Sequence, residues 1–165
     1  MENALDKVIV IGCPGSGKSV FARKLFNKTS IPVYHLDNLY WNKDWTHKSH
    51  DEFVRRLNEV MHHDRWIIDG NYSSTMEERI IKCDTIFFLD YPVQVCLKGI
   101  HDRIGKERED MPCIELKADE ELIKFVNEYK NNNRPKVLEL LKKYKSKNII
   151  IFNSREEANK YINTF

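Results

Sequence analysis

Long apolar runs are missing from this 165-residue chain. The longest, such as VIVI at 8–11 and IIIF at 149–152, hold a few residues each, far short of the roughly 20 that cross a bilayer as a helix. No membrane-spanning helix is expected. The opening MENALDK has neither the basic region nor the apolar stretch of a secretory signal, which makes the cytoplasm the expected location. Cysteine is sparse: Cys13, Cys83, Cys96 and Cys113 show no CxxC spacing, so separate thiols are expected instead of a structural zinc or a disulfide framework. A large excess of one charge is also absent. Lys and Arg number 27 against 25 Asp and Glu, a net +2, too little to imply a nucleic-acid footprint. The one basic cluster, KKYKSK at 142–147, reads as a solvated helix end. Six histidines follow no pattern, and no Ser–His–Asp or Cys–His arrangement occurs. Internal repeats, low-complexity tracts and linkers are missing as well.

What remains is a chain with 41% apolar and 32% charged residues, ordinary for a globular protein and long enough for a single domain, 1–165. Short β-branched runs alternate with amphipathic stretches. KVIVI, PVYHLD, RWIID, DTIFFLD and NIIIF read as five strands. Between them fall helical patterns, three of them opened by a capping box, at Ser49–Glu52, Ser74–Glu77 and Ser154–Glu157. Two more amphipathic stretches, near 122–129 and 137–144, are separated by a break at the Asn run 131–133. Alternation of this kind predicts an α/β fold: a five-stranded parallel sheet with helices on both faces, since each parallel pair requires a crossover.

GCPGSGKS, residues 12–19, stands between the first strand and the first helix. Its Gly-x-x-x-x-Gly-Lys-Ser spacing fits a phosphate cradle, because glycines permit backbone torsions that turn consecutive N–H groups into one concavity at a helix N-terminus. Gly12, Cys13, Pro14, Gly15, Ser16, Gly17, Lys18, Ser19 and Val20 are the expected nucleotide-binding stretch. Lys18 would reach the outer phosphates of ATP, and the Ser19 hydroxyl would serve Mg²⁺. Asp69, closing the third strand, is the expected second metal-side residue, with an Asp-Gly turn as the plainer alternative. Asp90, before Pro92, is expected to be structural and farther from the loop.

A phosphate loop alone leaves GTPases, motor ATPases and small-molecule kinases open. No Asn-Lys-x-Asp guanine-reading segment follows late in the chain, which weakens the GTPase reading. The order of motifs resembles the adenylate-kinase-like family of P-loop kinases: a loop near residue 12, an Asp-bearing segment after the second strand, IIDGNY after the third, and arginines after the helix that follows the fourth. HLDNLYW, IIDGNYSSTMEER and FLDYP further resemble the FlaR-type group of DNA topology modulation proteins. That resemblance implies a P-loop NTPase fold with a small lid at about 104–117, an acceptor-binding segment at about 37–64, and ATP with Mg²⁺ as cofactors. It also implies phosphoryl transfer to a nucleoside, nucleotide or similar small acceptor. The alternative is an ATP-binding regulatory or DNA-associated protein, although no helix-turn-helix, zinc-finger or basic-stripe signal is present. Monomer and homodimer both remain open.

Within that frame Arg103 and Arg108 bracket the charged loop RIGKERED, one for the base and one for the phosphates. Arg134 resembles a further arginine brought to the transferring group; surface ion pairs are the plainer alternative for all three. Asp37 is expected to close the second strand and align or deprotonate the acceptor hydroxyl. Tyr40, Trp41 and Trp45 would stack on it or anchor their loop to the core. Asn71 and Arg79 would line the opposite wall, Arg79 suiting an acceptor phosphate.

Overall fold

A computed structural model describes residues 5–165; the first four residues, part of the stretch read for a secretory signal, lie outside the described residues. Thirteen elements follow in the order β1 (Lys7–Gly12), α1 (Lys18–Thr29), β2 (Val33–His35), α2 (Leu36–Tyr40), α3 (His50–Met61), β3 (Trp66–Asp69), α4 (Ser73–Lys82), β4 (Thr85–Leu89), α5 (Val93–Asp102), α6 (Glu120–Asn132), α7 (Arg134–Lys143), β5 (Asn148–Phe152) and α8 (Arg155–Ile162).

All five strands pair in parallel in the order β2-β3-β1-β4-β5. The side-chain period of two divides β1 between two cores. Val8 and Val10 pack with Phe21 and Leu25 of α1, Cys96 and Ile100 of α5, Val126 of α6 and Ile162 of α8. Ile9 and Ile11 pack with Phe53 and Leu57 of α3, Ile80 of α4, and Val137 and Leu141 of α7. Both sheet faces are therefore covered, which is why the strands read as continuous apolar runs. No helix among the described residues is long and apolar enough to cross a membrane.

Local signals held at two helix starts and failed at one. Ser49 caps α3 by accepting from Glu52 N at 3.2 Å, and Ser154 caps α8 by accepting from Glu157 N at 3.2 Å. The box expected at Ser74 does not form. α4 begins at Ser73 behind a left-handed Tyr72 (φ 38°), and Glu77 instead accepts from Lys143 Nζ at 2.5 Å and Tyr144 Oη at 2.6 Å. The basic cluster is consequently more than a solvated end: Lys147 donates to Ile81 O and Cys83 O, both at 2.8 Å, capping the carbonyl end of α4.

Two expectations about strand ends are corrected. Asp37 does not close β2; it lies in the first turn of α2, which the chain enters directly after His35. Nor is Asp90 remote from the phosphate loop. β4 pairs directly with β1, Gly12 opposite Leu89, so Asp90 follows at the same edge. Its role is nonetheless structural: Arg134 grips both carboxylate oxygens at 2.8–3.1 Å.

Candidate nucleotide and acceptor site

β1 and β3 run side by side with Val10 opposite Asp69, so the loop after β1 and the acid ending β3 emerge together at the carboxyl edge of the sheet. Open parallel sheets bind ligands at this edge. A cavity of about 880 Å³ occupies it, within the range of small-molecule sites. Pro14 and Lys18 line it from the loop, Asp37, Trp41 and Trp45 from the segment after β2, and Gly70, Asn71 and Tyr72 from the turn after β3. Arg103, Arg108 and the 111–122 stretch line it from the lid side.

The loop fits a phosphate ligand on three observations. Gly17 caps α1 with no side-chain bond and no acid in the first turn, leaving the N-terminal N–H groups of the helix without a capping partner. The buried Ser16 hydroxyl has no hydrogen-bond partner among the described residues. Lys18 Nζ donates to Gly12 O at 3.1 Å and Cys13 O at 3.3 Å, held over its own loop. Burial pushes the Lys18 ammonium below the ordinary lysine range, opposed by the carboxylates of Asp69 and Asp37. Arg155, at the start of α8, braces the loop by donating to Gly15 O at 3.2 Å. Within 12–20 only Pro14 and Lys18 line the cavity; Cys13 is buried under the loop and Val20 is exposed away from it.

Hard oxygen donors suit Mg²⁺, which takes one or two protein ligands and fills its shell with phosphate and water. Ser19, in the first turn of α1, and the buried Asp69 carboxylate are the residues of this type that would serve such an ion. One Asp69 oxygen is bonded by His35 Nδ1, which orients the carboxylate. Burial opposes protonation of that imidazole, but the Asp69 bond and charge outweigh it and hold its pKa up.

The wall after β2 is built around Asp37. Its Oδ1 accepts from Tyr72 Oη at 2.6 Å. Burial raises the Asp37 pKa, partly relieved by that bond and by Lys18. Asn71 lines the cavity and also clasps the phosphate loop, accepting from Gly12 N at 3.2 Å and donating to Gly12 O at 2.6 Å. Trp41 meets Trp45 edge-on with ring centroids 5.7 Å apart.

The structure moves three expected residues away from the cavity. Arg79 is completely buried and donates to Gly70 O at 3.1 Å, to Asn71 O, and to Tyr72 O at 3.2 Å; it clamps the turn after β3 instead of facing an acceptor. Burial lowers its pKa to about 10, so the clamp stays charged near neutrality. Tyr40 packs among Phe53, His47 and Tyr72, an anchor behind the wall. Arg134 does not line the cavity, because the fork it forms on Asp90 holds its guanidinium at the foot of α7.

Arg103 and Arg108 do reach the cavity, but as a pair tied to one acid. Arg103 Nε donates to Glu115 Oε2 at 3.2 Å, and Arg108 Nη2 to Glu115 Oε1 at 3.3 Å. The lid also touches the acceptor segment, where Asn38 Nδ2 donates to Glu109 O at 2.6 Å and Cys113 Sγ to Asn42 O at 2.9 Å. Sequence reasoning missed Tyr72, His35, Glu115 and Arg155. Only Arg155 carried a usable signal, as a cation just past a strand at the ligand-binding edge.

No protein-family model matches the chain. Among curated proteins it is similar to the adenylate kinases of Thermotoga neapolitana and Thermotoga petrophila, each 27% identical over 88 residues. The match takes in 52% of this chain and 39% of either relative, so less than half of the relatives' length is represented. Among solved structures it resembles a shikimate kinase from Bacteroides thetaiotaomicron (17% identity, TM-score 0.59, 98% of this chain and 96% of that one). It also resembles a shikimate kinase from Acinetobacter baumannii in complex with shikimate (17%, 0.64, 98% and 93%) and a gluconokinase from Sinorhizobium meliloti 1021 (12%, 0.57, 96% and 88%). The fold is thus the α/β fold of these P-loop kinases.

Proposed function

We propose that the protein is an Mg-ATP-dependent small-molecule kinase. The observation that carries this reading is one cavity reached by Lys18 of the phosphate loop, the Asp37 carboxylate and the lid arginines Arg103 and Arg108. The kinase names of its relatives and structural neighbours support it.

In this reading the loop N–H groups and Lys18 bind the β- and γ-phosphates, while Ser19 and Asp69 would hold Mg²⁺, which would supply charge neutralisation at the phosphates. Asp37 accepts the proton of the acceptor hydroxyl as its oxygen attacks the γ-phosphorus. The bond from that phosphorus to the bridging oxygen breaks, and ADP leaves with the electron pair. Tyr72 orients Asp37 through its hydroxyl hydrogen bond. Arg103 and Arg108 exchange Glu115 for phosphate oxygens, and lid contact with the acceptor segment excludes water as a competing acceptor. The expected location is the cytoplasm.

The resemblance to FlaR-type proteins rests on HLDNLYW, IIDGNYSSTMEER and FLDYP, and the first two carry Asp37, Trp41, Asp69, Asn71 and Tyr72. Residues gathered around a cavity favour catalysis over a DNA-contacting face. The test is ADP formation from ATP with and without a panel of hydroxyl acceptors, in the wild type and in Lys18→Ala. Acceptor-dependent ADP formation that falls by about 10²-fold or more in a variant with unchanged melting supports the kinase. Equal turnover in a folded Lys18→Ala overturns it.

A further inference from the structure

The kinase reading leaves the acceptor open, and the inference here rests on that reading. We propose that the acceptor is an uncharged hydroxyl compound with a flat unsaturated ring, of the nucleoside type, and not a phosphate- or carboxylate-bearing molecule.

Recognition of an anionic acceptor in a partly buried site requires a cation aimed at it. The cations lining the cavity are Lys18, Arg103, Arg108 and Lys117. Lys18 belongs to the phosphate loop, and the other three come from α5 and the lid. None comes from the segment after β2 or the turn after β3, the two walls that hold Asp37. The arginine best situated in sequence to read an acceptor phosphate, Arg79, spends its donors on the carbonyls of Gly70, Asn71 and Tyr72 and has no exposed surface. Neighbouring cations are also engaged by the chain itself. Arg56 pairs with Glu52 at 2.9 Å, and Lys48 Nζ donates to Trp41 O and Asn42 Oδ1, both at 3.1 Å.

The charge on the wall after β2 is negative. Asp37 lines the cavity, and burial disfavours its ionisation, opposed by the Tyr72 bond and by Lys18 of the phosphate loop. An anionic acceptor would enter against that carboxylate, whereas a neutral hydroxyl finds a proton acceptor.

The remaining wall is aromatic. Trp45 lines the cavity yet is 46% exposed, and it sits at φ 64°, a left-handed backbone costly for a bulky side chain. The turn that imposes this is closed by Thr46 N donating to Asp44 Oδ1 at 3.1 Å and Asn42 N to Thr46 O at 2.8 Å. A strained turn that holds a large ring out of the core and beside Trp41 fits a stacking platform for a flat ligand.

The test uses pairs that differ by one phosphate group. With a nonhydrolysable ATP analogue present, each common nucleoside and its 5′-monophosphate are titrated by tryptophan fluorescence, beside shikimate, gluconate and glucose. The same compounds are assayed for ADP formation with ATP. At least one nucleoside is expected to quench saturably and to be phosphorylated, with its monophosphate weaker by about tenfold or more. Trp45→Ala should weaken that nucleoside about tenfold without changing affinity for the ATP analogue, and Trp45→Phe should retain it. A monophosphate, an acid or glucose used in preference to every nucleoside overturns the inference and leaves the kinase reading intact. No acceptor-dependent ADP formation from any compound, in protein that binds the analogue, overturns both.

Discussion

Gly99, inside α5, lies backbone against backbone with Gly15 of the phosphate loop: a Cβ on Gly99 would stand 2.0 Å from Gly15 O, and one on Gly15 2.0 Å from Cys96 O. The loop is thereby moulded on α5, a helix about 85 residues further along the chain, and not only on the strand and helix it joins. A loop shaped by such a contact presents its N–H groups without first having to order them.

Gly99→Ala should therefore damage nucleotide binding from outside the motif. The methyl has no space unless α5 or the loop shifts, and overpacking of this kind costs about 1–3 kcal/mol. Loss of ATP-analogue affinity together with a lower melting temperature is expected, while Lys98→Ala, exposed on the same helix, should change neither. Calorimetric titration and thermal melts decide; a Gly99→Ala protein with wild-type affinity would show that the loop forms independently of α5.

Arg79→Met should unfold the acceptor wall more than the nucleotide site. It leaves the carbonyls of Gly70, Asn71 and Tyr72 without their buried donors, and unsatisfied groups of this kind cost about 1–3 kcal/mol each. Tyr72, held at φ 38°, is the residue with most to lose. Urea unfolding should register a destabilisation of about 2 kcal/mol or more. Acceptor KM should rise more than ATP KM does; an equal effect on both would make Arg79 a general core residue.

Asp37→Asn should remove the acidic limb of the rate profile. The raised pKa of Asp37 means that its ionised, proton-accepting form is lost as pH falls through a value above the ordinary aspartate range, so acceptor-dependent transfer should decline there. In the variant, transfer should drop by about 10²-fold or more and lose that limb, with ATP-analogue affinity nearly unchanged. A joint loss of transfer and affinity would assign Asp37 to the nucleotide side.

Glu115→Gln should free the two lid arginines. Glu115 accepts from both Arg103 and Arg108, so phosphate must displace it, and neutralising it should tighten ATP-analogue binding a few-fold at low salt. The gain should shrink as salt screens the arginines. Weaker binding would instead make Glu115 the residue that aligns them.

By itself the sequence determined the layered fold and the phosphate loop, because both depend on local spacing. The alternation of β-branched runs with amphipathic stretches specifies buried parallel strands under two helix layers, and Gly12 to Ser19 announces a phosphate cradle by its spacing, although its final shape also leans on α5. Asp37, Asp69, Trp41 and Asn71 were legible because they end or closely follow strands at the edge where ligands bind, and the lid arginines because the order of motifs resembles that of P-loop kinases. Tertiary structure alone decided where the long cationic side chains went. An arginine reaches several ångströms in many directions, and its destination depends on which oxygen lies within that reach after folding. Arg79 thus met three carbonyls, Arg134 met Asp90, and Arg103 with Arg108 met Glu115. The same holds for Gly99 and Tyr72, whose partners, Gly15 and Asp37, stand tens of residues away and carry no local pattern that announces them. Strand order brought Asp90 beside the loop, and only the packed α7 then claimed it for Arg134.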